Sequence, residues 1–82
     1  MHYVYILRSK NLPNQIYKGS TSNLRNRLEQ HNAGQVPHTS KFKLWSVIWY
    51  SAFISQQQAA QFEKYLKTAS GIAFMRKHLI QK

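Results

Sequence analysis

The sequence has no cysteine, no aspartate and only two acidic residues, Glu29 and Glu63. Without cysteine there are no disulfides and no thiolate metal ligands, so the fold must rest on packing. No run of 18 or more apolar residues occurs, which excludes a membrane-spanning helix. Met1 to Arg8 lack the charged start and long apolar stretch of a secretory signal. These absences lead us to expect a cytoplasmic protein.

What is present is positive charge. Twelve Lys and Arg against two acids give a net charge of +10 on 82 residues. That length suits one domain, residues 1–82, with one small core. Charge of this size does not decide a fold, but it does constrain partners. Nucleic acid leads, because each phosphate neutralised by a cation releases counterions. An anionic lipid surface or an acidic protein is the competing partner.

His2 to Leu7 is aromatic and β-branched and reads as a strand. Asn11-Leu12-Pro13-Asn14 is turn chemistry, so Gln15 to Gly19 should return as the second arm of an antiparallel hairpin. Thr21 or Ser22 can cap a helix from Asn23 to His31 or Asn32, stopped near Ala33-Gly34. Leu24 and Leu28 give that helix an apolar face, while Asn23, Arg27 and His31 form a polar stripe at i, i+4, i+8. Gly34 to Lys43 reads as a loop. Leu44 to Ile54 carries apolar residues on both parities and reads as a central strand, with Trp45 and Trp49 on one face as core. Ser55 caps a helix from Gln56 to about Thr68, burying Phe62, Leu66 and Ala69 and broken by Ser70-Gly71. A last helix, Ile72 to Leu79, buries Ile72, Met75 and Leu79 and exposes Arg76 and Lys77. The expected fold is α+β: a three-stranded antiparallel sheet flanked by helices, in the order β-β-α-β-α-α.

Two tyrosine triplets, Tyr3-Val4-Tyr5 and Tyr17-Lys18-Gly19, precede the Asn23 to Asn32 helix, and Ala59-x-x-x-Glu63-Lys64-x-x-Lys67 follows later. In these motifs the chain resembles the GIY-YIG nuclease domain over nearly its whole length. Within that family it is most similar to small stand-alone proteins related to the nuclease domain of bacterial excision repair. It departs from the family pattern in having Tyr3 in place of Gly and Lys18 in place of Ile.

The resemblance implies a metal-dependent endonuclease that hydrolyses phosphodiester bonds in DNA, with RNA as an alternative substrate and DNA repair as the setting. It needs no small-molecule cofactor. Tyr5 or Tyr17 would be the general base, Tyr5 being preferred and Tyr17 positioning water or phosphate. Arg27, always protonated and forked, suits the pentacovalent phosphate. His31 would bond the base or a phosphate oxygen. One Mg²⁺ or Mn²⁺ ion would take Glu63, since Glu29 falls off the Arg27 and His31 stripe. Surrounding cations and a metal are expected to lower the Tyr5 pKa from near ~10. Lys18, Asn23, Lys41, Lys43, Lys67, Arg76, Lys77 and Lys82 are candidate nucleic-acid contacts. Taken singly, each feature has a plainer role: tyrosines pack in strands, Arg27 is solvated, and Glu63 pairs with Lys67. An inactive nucleic-acid-binding module on the same fold is therefore the alternative to an enzyme.

Overall fold

A computed structural model describes residues 1–80. The expectation for Lys82 lies outside the described residues. Strand β1 (His2–Ser9) pairs antiparallel with β2 (Ile16–Thr21) on one side and β3 (Trp45–Phe53) on the other. The strand order is β2-β1-β3. Helix α1 (Leu24–Asn32) follows β2, and α2 (Gln56–Tyr65) and α3 (Ala69–Phe74) follow β3. The α+β fold and its β-β-α-β-α-α order are as expected.

The central strand is β1, not the Leu44 to Ile54 segment. Val4, Tyr5, Ile6 and Leu7 are all buried, an unbroken run that only a strand covered on both faces tolerates. Val4 and Ile6 face Ala59, Leu66 and Met75; Tyr5 and Leu7 face Trp45, Leu24 and Leu28. β3 is an edge strand, with Tyr50 and Ala52 exposed. Its apolar residues fall on both parities for a different reason. The register slips where Ile6 opposes Trp49 and Leu7 opposes Val47, so Ile48 is an extra, bulged residue. The bulge sends Trp45 and Trp49 to opposite sides of the sheet, correcting the expectation of a shared face. Both still pack as core.

The helix ends follow from capping chemistry. Asn23, rather than Thr21 or Ser22, caps α1: its side chain accepts from the Asn26 amide at 3.0 Å. Thr21 Oγ1 supports it by accepting from the Asn23 amide at 3.1 Å. At the other end Gly34 adopts φ +77°, and the Gly34 and Gln35 amides close onto the His31 and Gln30 carbonyls. Ser55 caps α2 as expected, accepting from the Gln58 amide at 3.0 Å. α2 stops at Tyr65, short of Thr68, because Thr68 caps α3 by accepting from the Gly71 amide at 3.1 Å. Ala69 is accordingly exposed at the start of α3 instead of buried in α2. Gly71 does not break a helix. It lies inside α3, buried where any Cβ would run into the Tyr65 carbonyl, and so lets α3 close against the end of α2. A wider, π-type turn continues from Met75 to Leu79, with Met75 buried and Arg76 and Lys77 exposed. The loop before β3 contains a 3₁₀ turn, Ser40–Phe42, and buries Val36 and Thr39.

Candidate active site

Tyr5 and Tyr17 project from β1 and β2 onto the face that α1 covers. Strand alternation puts Gly19 directly opposite Tyr5. A Cβ at Gly19 would lie 2.5 Å from the Tyr5 hydroxyl and 3.1 Å from the Tyr17 ring. The glycine of the second triplet is thus the seat on which the Tyr5 phenol rests. Tyr17 closes over His31, with ring centroids 4.8 Å apart.

His31 is fully buried and makes both of its ring hydrogen bonds. Thr39 Oγ1 donates its one proton to the Val36 carbonyl at 3.3 Å, so it accepts from His31 Nδ1–H at 2.7 Å. That leaves Nε2 unprotonated, and it accepts from the Tyr5 hydroxyl at 3.0 Å. Burial first, and then the Arg27 charge, push the His31 pKa down to about 4, which keeps the imidazole neutral at pH 7. The result is a directed chain from Tyr5 through His31 and Thr39 to the Val36 carbonyl, with the unprotonated Nε2 facing the Tyr5 hydroxyl.

Arg27 sits one turn before His31 and within hydrogen-bonding reach of the Tyr5 hydroxyl, which helps raise the Arg27 pKa. Its guanidinium donates to Gln30 Oε1 at 3.0 Å, whereas its buried Nε has no protein partner. A buried donor left unpaired costs about 1–3 kcal/mol, a cost the fold carries beside the Tyr5 hydroxyl. The Tyr5 pKa is raised, contrary to the expectation from its cationic surroundings. Burial outweighs the Arg27 hydrogen bond, and the Tyr17 and Glu63 charges push the same way.

Glu63 occupies the other face. Its Oε1 accepts from Ser20 Oγ at 3.2 Å, and its Oε2 is paired with Lys67 Nζ at 2.8 Å. Ser20 follows Gly19 along the edge strand, so Glu63 and the Tyr5 hydroxyl flank one short stretch of β2. Their nearness registers in the Glu63 contribution to the Tyr5 pKa. Among the described residues no three of His, Cys, Asp and Glu gather into a metal cage. A single half-buried carboxylate still suits a hard cation held chiefly by substrate oxygens and water.

The structure therefore brings Tyr5, Tyr17, Arg27 and His31 together and sets Glu63 beside them across β2. Asn23 is spent as the α1 cap. Lys18 donates to the Leu66 carbonyl at 3.1 Å; burial, then the nearby Lys67 and Arg76 charges, lower its pKa. Those three cations share the α2 side, while Lys41 and Lys43 are exposed on the loop before β3. Two partners escaped the sequence reading. Gln30 was legible as an i+3 neighbour of Arg27. Thr39 had no local signal, since its role depends on a loop folding back over α1.

Comparison with known proteins identifies the family. The model of the GIY-YIG catalytic domain matches residues 1–76. The chain belongs to the GIY-YIG family. It is 36% identical over 67 residues to a UPF0213 protein of Oceanobacillus iheyensis, covering 80% of this chain and 76% of that one. A UPF0213 protein of Staphylococcus haemolyticus is 36% identical over 70 residues, 84% of this chain and 83% of the relative. One from Pediococcus pentosaceus is 35% identical over 80 residues, 93% and 82% of the two chains. The family is one of nucleases, and its members generally depend on a divalent metal.

Proposed function

We propose that residues 1–82 form one GIY-YIG nuclease domain that hydrolyses phosphodiester bonds in DNA with a single divalent ion. The observation that carries this reading is the hydrogen bond from the Tyr5 hydroxyl to a neutral, fully buried His31. A raised pKa makes free Tyr5 a poor phenolate, so Tyr5 works by relay: it takes a proton from water as it passes its own to His31 Nε2. Burial is the larger cause of the low His31 pKa and Arg27 the smaller; a phosphate arriving on Arg27 neutralises that smaller share and makes the imidazole a somewhat better acceptor. Arg27 also meets the charge that grows on the pentacovalent phosphate. Tyr17 aligns the water or the phosphate over His31.

Glu63, released from Lys67, is the residue to hold Mg²⁺ or Mn²⁺. When bound, such an ion polarises the scissile phosphate and lowers the pKa of bound water. Lys18, Lys67, Arg76 and Lys77 on one side and Lys41 and Lys43 on the other supply contacts to the sugar-phosphate backbone. A cytoplasmic role in DNA repair follows from the resemblance to the excision-repair nuclease domain.

The Glu63–Lys67 ion pair favours one second reading, a binding module whose carboxylate is structural. Cleavage of labelled DNA and RNA substrates by wild type, Glu63→Ala and Arg27→Ala, with Mg²⁺, Mn²⁺ or EDTA, separates the two. A nuclease nicks only with metal and loses activity in both variants. Salt-sensitive binding with no cleavage on any substrate selects the binding module. Cleavage that survives Glu63→Ala removes the metal role.

A further inference from the structure

Beside the candidate active site, on the same face of the sheet, runs a groove of about 560 Å³. Tyr3 and Tyr50 form its aromatic wall, Leu28 and Val47 its floor, and Asn23 and Arg25 its rim. Leu28 and Val47 also pack against the core cluster that holds Tyr5, but none of these side chains hydrogen-bonds to Tyr5, His31 or Arg27. Tyr50 is directly opposite Tyr5 across the β1–β3 ladder, and Tyr3 lies two residues before Tyr5 on β1. Two residues of strand span about 6.6–6.8 Å, so the groove begins roughly one side chain away from the phenol.

The two tyrosine rings are tilted at 59° with centroids 6.2 Å apart, and Tyr50 is 56% exposed. Single exposed apolar residues are ordinary, but here two aromatic rings and the apolar Leu28 and Val47 line one continuous groove. The two tryptophans, Trp45 and Trp49, are used as core on opposite faces of the sheet. The exposed π surface on the active face comes from Tyr50 instead, with Tyr3 bracing it.

We infer that this groove takes an unstacked nucleobase next to the phosphate held at Arg27, stacked on Tyr50 and Tyr3, while Arg25 meets the neighbouring phosphate. This inference rests on the nuclease reading above and specifies the substrate as one with an unpaired base beside the cut. The occupant follows from charge as well as shape. A net charge of +10 and an exposed Arg25 at the rim select an anionic partner, and an apolar, aromatic wall selects one that carries flat rings. A single strand, flap or frayed end offers both at once. A fully paired duplex keeps its bases stacked away from the groove.

The test is binding by wild type, Tyr50→Ala and Tyr50→Phe to four probes of one length. They are a single-stranded oligonucleotide, a flapped duplex, a blunt duplex, and a strand in which every base is replaced by an abasic tetrahydrofuran. Tyr50→Ala should weaken binding to the single strand and the flap by roughly 5- to 150-fold, the range for one lost stacking contact. The salt dependence should not change, because no charge is removed. Tyr50→Phe should restore wild-type affinity, and circular dichroism should show all three proteins equally folded. Blunt duplex and abasic strand should not distinguish the three. Equal affinity of wild type and Tyr50→Ala for the single strand overturns the inference. So does an equal loss on the abasic strand. Wild type that binds and cleaves while Tyr50→Ala matches it removes the groove alone. Wild type that neither binds in a salt-sensitive way nor cleaves removes the nuclease reading with it.

Discussion

The two faces of the sheet are built by different rules. Toward α1, the polar atoms form a closed chain, and Tyr5, His31 and Thr39 are all at most 1% exposed. Toward α2, the centre is apolar, with Val4, Ile6, Ala59, Leu66 and Met75, and the charges stand at the rim. There Glu63 pairs with a half-exposed Lys67, and Lys18 caps a helix carbonyl. A buried hydrogen-bond chain fixes geometry and protonation, because any broken link leaves an unpaired group in a low dielectric. An ion pair at the rim is weak and exchangeable. Under the proposed function the contrast sorts the roles: proton transfer and the phosphate at Arg27 fall on the α1 face, and the Glu63 metal ligand falls at the rim of the other.

That contrast can be broken one face at a time. The largest effect should come from Gly71→Ala, whose Cβ has no room against the Tyr65 carbonyl. We expect a loss of about 3 kcal/mol or more in chemical denaturation, as the α2–α3 joint is forced apart. Gly19→Ala is the matching lesion on the α1 face. It should cost about 1–3 kcal/mol in stability, yet reduce cleavage roughly 100-fold by lifting Tyr5 off its seat. Protonating His31 attacks the same face without a mutation. Its folded pKa, about 4, lies below the ordinary 6.5, so the stabilisation is complete above pH 6.5 and lost as pH falls toward 4. A loss on the order of 3 kcal/mol across that window should appear in urea denaturation, and NMR titration of His31 should show the depressed midpoint. Thr39→Val should cost about 1–2 kcal/mol and loosen the His31 tautomer, visible in its ring nitrogen shifts. Lys67→Ala, at the rim, should change stability by less than about 1 kcal/mol.

Much of this was legible because it rests on local chemistry. The hairpin, the Ser55 cap, the Gly34 stop and the gathering of Arg27 and His31 on one helix face all follow from spacing and turn residues. Features that depend on tertiary pairing were not. The two-parity pattern of Trp45 to Phe53 is equally that of a central strand or of an edge strand with a bulge at Ile48, and only the β1 register separates them. Gly71 reads as a helix breaker until α2 is seen against it. Tyr5 looks acidified by its cationic neighbours because burial, the larger effect, leaves no mark in the sequence. Thr39 is eight residues from His31 and meets it only through a fold-back of the loop.

The central claim is that the Tyr5 hydroxyl and His31 move the proton. Single-turnover cleavage by Tyr5→Phe, in Mg²⁺ and on a substrate that wild type nicks, tests it most directly. The phenyl ring keeps the packing on Gly19 and removes only the hydroxyl. The account predicts a fall of about 10²- to 10⁴-fold in rate, with DNA affinity near wild type and a stability loss of about 1–3 kcal/mol from the unpaired His31 Nε2, too small to unfold the protein. A Tyr5→Phe protein that cleaves within a few-fold of wild type would contradict it.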